Sequence, residues 1–179
     1  LGDVYKRQDE GLWSIFIEGI NAGEKYKYAI ENIYGHYNLK ADPYAFQSEK
    51  RPDTASIVSE ADKYKWNDRS WMMKRKRFNM YESPINIYEM HLGSWKTKNK
   101  EFLTYKEIAA ELPKYLTDMG YTHVEILPII EHPLDASWGY QGVGYYSVTS
   151  RYGSANDFKY LVDELHKACL LYTSPSPRD

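Results

Sequence analysis

The chain has 179 residues, 42% of them apolar, with 23 Lys+Arg against 25 Asp+Glu and a formal net charge of −2. That suits one ordinary globular domain or two small ones, and falls short of the roughly 250 residues of a complete (β/α)8 barrel. The near-neutral balance gives no whole-molecule field for gripping nucleic acid or an anionic membrane, and no apolar run approaches the roughly 20 residues of a transmembrane helix.

Residues 12–31 alternate like half-buried strands. Trp13, Ile15 and Ile17 share one face, and Tyr26, Tyr28 and Ile30 alternate with Lys27, Ala29 and Glu31. The turn sequence Asn21-Ala22-Gly23-Glu24 between the two runs predicts an antiparallel hairpin joining them. A further turn at Tyr34-Gly35-His36 leads into an extended stretch from Tyr37 to Lys40, and Asp42-Pro43 breaks the chain. Residues 48–83 are polar and irregular. The basic run Lys74-Arg75-Lys76-Arg77 reads as a solvated face or linker, while Trp66, Trp71 and Phe78 predict that the segment packs against something. A domain boundary is expected near Pro84.

The pattern then changes. Residues 85–92 (Ile85 to Leu92) read as a strand closed by Gly93. Thr104-Tyr105-Lys106-Glu107 is a capping box, followed at helical spacing by Ile108, Ala109, Leu112, Tyr115, Leu116 and Met119, with Gly120 to end the helix and Pro113 predicting a kink. Residues 122–128 form a second short strand, and Ser154-Ala155-Asn156-Asp157 caps a second helix carrying Phe158, Leu161, Val162 and Leu165. Strand–helix–strand–helix at these intervals predicts parallel pairing. The terminal stretches 1–8 and 169–179 extend neither neighbour. They read as scars of a truncated or mis-joined frame, with a Ser/Pro-rich tail where a third buried strand would follow Ala168.

Chemistry concentrates in the loop 131–146, which follows the C-terminal end of the second strand, where parallel α/β folds bind ligands. It holds two carboxylates (Glu131, Asp135), His132, several rings and three glycines, and loops above roughly 12–15 residues are more often functional than not. Gly139, Gly142 and Gly144 match neither a P-loop nor a dinucleotide fingerprint, and Glu131, His132 and Asp135 have no companion cluster, so neither a cofactor nor a metal is expected. The lone cysteine, Cys169, excludes an internal disulfide, and the opening residues predict no signal peptide, which together fit a cytoplasmic protein. The unusual number is the aromatic share of 16%, from 18 Tyr, 5 Trp and 5 Phe. Such rings stack on the apolar faces of sugars, and equally they fill β-sheet cores.

Six segments carry a resemblance. Ile87-Tyr88-Glu89-Met90-His91-Leu92-Gly93-Ser94-Trp95 resembles the first barrel strand of 1,4-α-glucan branching enzymes of the α-amylase superfamily, and residues 120–128 resemble their second. Glu131-His132-Pro133-Leu134-Asp135-Ala136-Ser137-Trp138-Gly139-Tyr140-Gln141 is similar to the loop that follows, and residues 145–153 continue the match. Upstream, residues 39–46 and 51–56 resemble the end of the carbohydrate-binding β-sandwich that precedes the barrel, so the likeness covers about residues 9–168.

The resemblance implies an α/β plus β architecture. An incomplete antiparallel β-sandwich, a carbohydrate-binding module with its linker over 9–80, precedes the first βα units of a (β/α)8 TIM barrel over 81–168. It implies cleavage of an α-1,4-glucan chain and its transfer to a 6-hydroxyl with net retention, chemistry that needs two carboxyl groups roughly 5–5.5 Å apart. In the family those groups follow later strands, so no catalytic residue is expected in this chain, and the fragment is expected to be inactive alone. Glu89, Glu125, Glu131 and Asp135 match no catalytic motif, and a packed, hydrogen-bonded role is expected for the first two. By resemblance Tyr140 stacks on the glucose unit at the cleavage point, with Trp138, Asp135 and Gln141 shaping the pocket; simple packing is the competing reading for each. The implied partner is an α-glucan such as glycogen, with no nucleic acid and no membrane. Debranching and trehalose-releasing enzymes of the superfamily, and a non-catalytic glucan-binding module, are the alternatives.

Overall fold

The computed structural model describes residues 6–9, 12–60, 62–79, 81–168 and 170–173. Cys169 lies outside them, as do 1–5 and 174–179. No helix among the described residues is long and apolar enough to cross a membrane.

The first part contains β1 (Lys6–Asp9), β2 (Leu12–Ile15), β3 (Lys25–Tyr26), β4 (Tyr28–Glu31), β5 (Tyr37–Lys40) and β6 (Ser56–Ile57). All pairings among them are antiparallel: β1 with β2, β3 with β6, β4 with β5. The hairpin expected between residues 12–17 and 25–31 does not form. A tighter local turn wins at Asn32, whose side-chain oxygen accepts the Tyr34 and His36 amides at 2.9 and 3.1 Å while Gly35 takes φ +79°, folding β4 directly onto β5. The turn at Asn21–Glu24 does form, but its exit strand pairs with a distant segment: Gly23 donates to Val58 at 2.8 Å and Val58 donates to Glu24 at 2.9 Å. That pairing straps residues 47–57 to the module, reinforced by the Lys25–Glu49 ion pair at 2.5 Å and by the Ala55 amide on Glu49 at 2.8 Å. Tyr26 and Tyr28 meet edge to face at 5.9 Å, and both hydroxyls donate to Asp42.

The linker is fastened along its length, as its aromatic residues predict. It forms α1 (Arg69–Arg75), and Trp71 lies flat on His166 at 3.6 Å and 6°. Asp68 accepts from His166 Nδ1 at 2.9 Å, and the Asn67 amide donates to Asp163 at 3.0 Å.

The second part runs β7 (Ile87–Met90), α2 (Leu92–Trp95), β8 (Thr97–Lys98), β9 (Glu101–Phe102), α3 (Tyr105–Asp118), β10 (His123–Ile126), β11 (Ile130–Glu131), β12 (Gly144–Val148), α4 (Ala155–Lys167) and β13 (Leu171–Thr173). β7, β10 and β13 form one parallel sheet in that order, with α3 and α4 in the connections, as in the opening strands of an α/β barrel. β13 corrects the sequence expectation: Leu171, Tyr172 and Thr173 pair with His123, Val124 and Glu125, so a third parallel strand does follow α4. The apolar Leu170-Leu171-Tyr172 that feeds it is too short to show periodicity, and pairing with β10 decides its state.

Both capping boxes predicted from sequence are present, Thr104 with Glu107 and Ser154 with Asp157. α3 continues without interruption through Pro113, and Gly120 at φ +76° closes it, with the Tyr121 amide returning to Leu116 at 2.9 Å. One face of the sheet, with Tyr88, Met90, Val124, Ile126 and Tyr172, packs on Ile108, Leu112, Leu116, Leu161 and Leu165 of the two helices. Leu112 is fully buried there, whereas Thr104 works at an exposed helix end. Leu112→Ala is therefore expected to cost about 2–5 kcal/mol and Thr104→Ala about 1 kcal/mol. Urea denaturation compares the two; an equal loss for both overturns the assignment of Leu112 to the main core.

Candidate functional site

The parallel strands end at one rim, where the chain leaves β7 through His91 and leaves β10 through Leu127 and Pro128. The loop between β11 and β12 rises over that rim. Its residues Asp135–Ser137 form a single 3-10 turn in which the Ser137, Trp138 and Tyr140 amides donate to Leu134, Asp135 and Ser137 at 3.0–3.1 Å. Trp138 then takes a left-handed backbone, φ +53°, unusual for a bulky residue, and Gly139 follows at φ +91°. Gly139 is required on two counts: its φ, and a Cβ there would stand 2.0 Å from the Pro128 carbonyl oxygen. This close approach lays the loop on the end of β10.

The reversal places two rings at the surface. The Trp138 ring, 53% exposed, stacks on the half-buried His91 imidazole at 5.8 Å and 22°. Tyr140 is 43% exposed. Gln141 is exposed and its side chain makes no hydrogen bond among the described residues.

The loop is held from beneath by Arg151, whose side chain is only 2% exposed. Its Nη1 donates to Glu131 at 2.9 Å and its Nε to Asp135 at 2.7 Å. Glu131 is buried and also accepts the Ser150 amide at 2.7 Å, closing the ends of the loop on each other. The second oxygen of Asp135 accepts from Arg51, which comes from the 47–57 arch of the β-module. Burial works to raise the Asp135 carboxyl, and the bonds from Arg51 and Arg151 overcome it, leaving it below the usual carboxylate range. His91 and His132 are both shifted down by burial, with the Arg151 charge adding to the effect, so both imidazoles are neutral at pH 7. No group of three or more His, Cys, Asp or Glu among the described residues could hold a metal ion.

Two family profiles match the chain: carbohydrate-binding module 48 (isoamylase N-terminal domain) over residues 3–45, and the α-amylase catalytic domain over residues 96–171. A 1,4-α-glucan branching enzyme GlgB of Francisella philomiragia is 57% identical over 88% of this chain and 25% of its own length. Two from Clostridium perfringens are 59% identical over 89% of this chain and 24% of theirs, and 55% identical over 90% and 25%. Over nearly its whole length the chain is thus similar to 1,4-α-glucan branching enzymes, and its two profile matches mark a carbohydrate-binding module and part of an α-amylase catalytic domain. It spans about a quarter of the length of these curated relatives. Among solved structures, a protein described as an α-amylase from Salmonella typhimurium superposes with a TM-score of 0.73, at 25% identity, over 94% of this chain and 26% of its own. A β module followed by the first strands of an amylase-type barrel is thus the architecture of this segment. These relatives favour branching over the debranching and trehalose-releasing alternatives.

Within that family frame, the four residues singled out from sequence divide in two. Trp138, Tyr140 and Gln141 are exposed, Trp138 stacking on His91 at the rim, whereas both oxygens of Asp135 are committed to guanidinium groups. The sequence reading missed Arg151, Arg51 and His91. Arg151 follows β12 in an unremarkable polar stretch, Arg51 lies 84 residues from its partner, and His91 meets Trp138 only through folding. The expected hydrogen-bonded role for Glu89 and Glu125 is not found. Glu89 is exposed and Glu125 half-buried, because strand alternation turns both away from the helices, and neither has a hydrogen bond among the described residues.

Three histidines, His91, His123 and His132, are shifted down by burial. Each is neutral when folded and protonates near pH 6.5 when unfolded, so unfolding takes up protons between the depressed native values and that point. Stability is expected to fall as pH drops from about 7.5 to about 5.5, read as a lower melting temperature. A flat profile over that interval overturns the neutral assignment.

Proposed function

We propose that this chain is about a quarter of a 1,4-α-glucan branching enzyme, and that the rim around Trp138 and Tyr140 is part of its glucan-binding cleft. The whole enzyme would cut an α-1,4 chain and rejoin it to a 6-hydroxyl, building glycogen branches in the cytoplasm. The observation that carries this reading is the anchored loop, which holds two exposed rings at the C-terminal ends of parallel strands in a chain 55–59% identical to branching enzymes. A flat ring partly covered and partly open binds the apolar face of a pyranose and leaves its hydroxyls in water or on neighbouring polar groups. Trp138 suits this because its other face is occupied by His91, which fixes the ring plane. Gln141 supplies an amide donor and acceptor beside the platform. Asp135 shapes the pocket by holding the loop.

Retaining transfer needs a nucleophile and an acid/base partner. Glu131 and Asp135 are engaged by guanidinium groups that hold both carboxylates in place, which suits neither task. The segment therefore contributes substrate binding and no catalytic carboxylate, and a branching assay on the 179-residue chain is expected to yield no new α-1,6 linkage. Removing the Tyr140 ring should weaken binding of a linear maltooligosaccharide such as maltoheptaose about tenfold, or roughly 1.4 kcal/mol, with Tyr140→Phe retaining most of the affinity. Calorimetric titration of the chain with maltoheptaose measures this. Equal affinity in wild type and Tyr140→Ala overturns the site.

A further inference from the structure

We propose that Arg51 is a positioning residue for the glucan platform: through Asp135 the β-module sets the pose of the loop that carries Trp138 and Tyr140. This rests on the glucan-site reading above and adds a control element to it.

The case begins with what fixes each end. Arg51 sits in an arch, residues 47–57, that cannot drift from the β-module. The Glu49 amide donates to Ala55 at 3.0 Å, the Ile57 amide to Gln47 at 2.8 Å, and Lys25 of β3 pairs with Glu49. The segment leading into the arch leans on β12, where Tyr44 stacks on Tyr146 at 5.6 Å and 23° and Phe46 meets the same ring edge-on at 6.4 Å. From this frame the Arg51 guanidinium reaches Asp135, the first residue of the 3-10 turn.

At the other end the loop has few tethers of its own. Between Leu134 and Val143 its side chains are mostly exposed, and its internal bonds are those of one short turn plus Ser137 Oγ on Leu134 at 2.7 Å. Trp138 holds a backbone conformation that a bulky residue does not adopt unassisted. Asp135 stands just before that strained residue and is gripped from two sides, by Arg151 of the barrel part and by Arg51 of the β-module. Losing Arg51 leaves one guanidinium and one direction of restraint. The Arg51–Asp135 pair is partly open to water, 31% and 43% by side chain, so its effect is a graded loosening rather than collapse.

Hydrogen exchange and maltoheptaose titration of the 179-residue chain test this together. In Arg51→Gln, exchange at the Ser137, Trp138 and Tyr140 amides should rise several-fold while α3 and α4 are unchanged, and maltoheptaose affinity should fall about three- to tenfold. Arg51→Lys should recover part of both losses by restoring the charge without the planar fork. Arg51→Gln added to Asp135→Asn should change neither measurement further, because the two act as one unit. Unchanged loop exchange in Arg51→Gln overturns the proposal whatever the sugar does. Faster exchange with unchanged affinity, while Tyr140→Ala weakens binding, leaves the glucan site standing and overturns the positioning role. Unchanged affinity in both Arg51→Gln and Tyr140→Ala overturns the site reading, and the proposal with it.

Discussion

The buried guanidinium of Arg151 is the constraint on which the rim of this structure depends. A charge only 2% exposed is held in place by carboxylates from two points of the same loop, Glu131 at its start and Asp135 at its turn. Each member requires the others. Removing either carboxylate leaves the buried cation one carboxylate partner instead of two, and removing the arginine leaves a buried glutamate with neutral donors such as the Ser150 amide, losses of about 3–5 kcal/mol where a buried pair is broken. Such an arrangement adds little net stability compared with apolar packing, but it admits one loop geometry, since a shifted loop would pull carboxylates away from the buried Arg151 guanidinium. That single geometry forces Trp138 into a left-handed backbone and brings Gly139 onto the Pro128 carbonyl.

Aromatic residues therefore serve three distinct ends in this chain. Tyr105, 0% exposed, is a core residue whose hydroxyl donates to the Thr149 carbonyl at 2.9 Å. Trp71 and Trp66 bracket His166 and fasten the linker to α4. At the rim a ring faces outward with one side backed by another, as Trp138 is by His91. Composition alone cannot separate these uses, because all three reward a large flat amphipathic side chain.

What could be read from the sequence follows the range of the interactions. α3 and α4 were legible because their capping boxes and apolar stripes are local patterns, and Gly120 marks the first stop by a backbone conformation that favours glycine. The loop stood out by its length and composition, and the resemblance its residues carry made Tyr140 and Trp138 candidates. The pairing of β3 with β6 was not, because it joins residues about thirty apart through strands of two residues each. Arg51 escaped for the same reason: a cation in a polar stretch looks like any solvated charge until folding brings Asp135 to it. β13 was misread because a three-residue apolar strand has no period, and its state is decided by the edge of β10.

The sheet that supports the rim also limits what can lie against it. Parallel sheets are covered on both faces. Here α3 and α4 cover one, and at the lower end of the other Phe78 packs near His123 at 6.4 Å. Ile87, paired with His123 at that level, is 50% exposed, and above it Glu89 and Glu125 stand directly opposite each other in register. In contact with water the two carboxylates repel only weakly. An apolar cover alone would desolvate both without donors, at several kcal/mol per ion. Whatever completes this face must bring hydrogen-bond donors or cations to the level of Glu89 and Glu125. The polar character of this face is thus set by these two strand positions, two residues short of His91 and Leu127 at the rim.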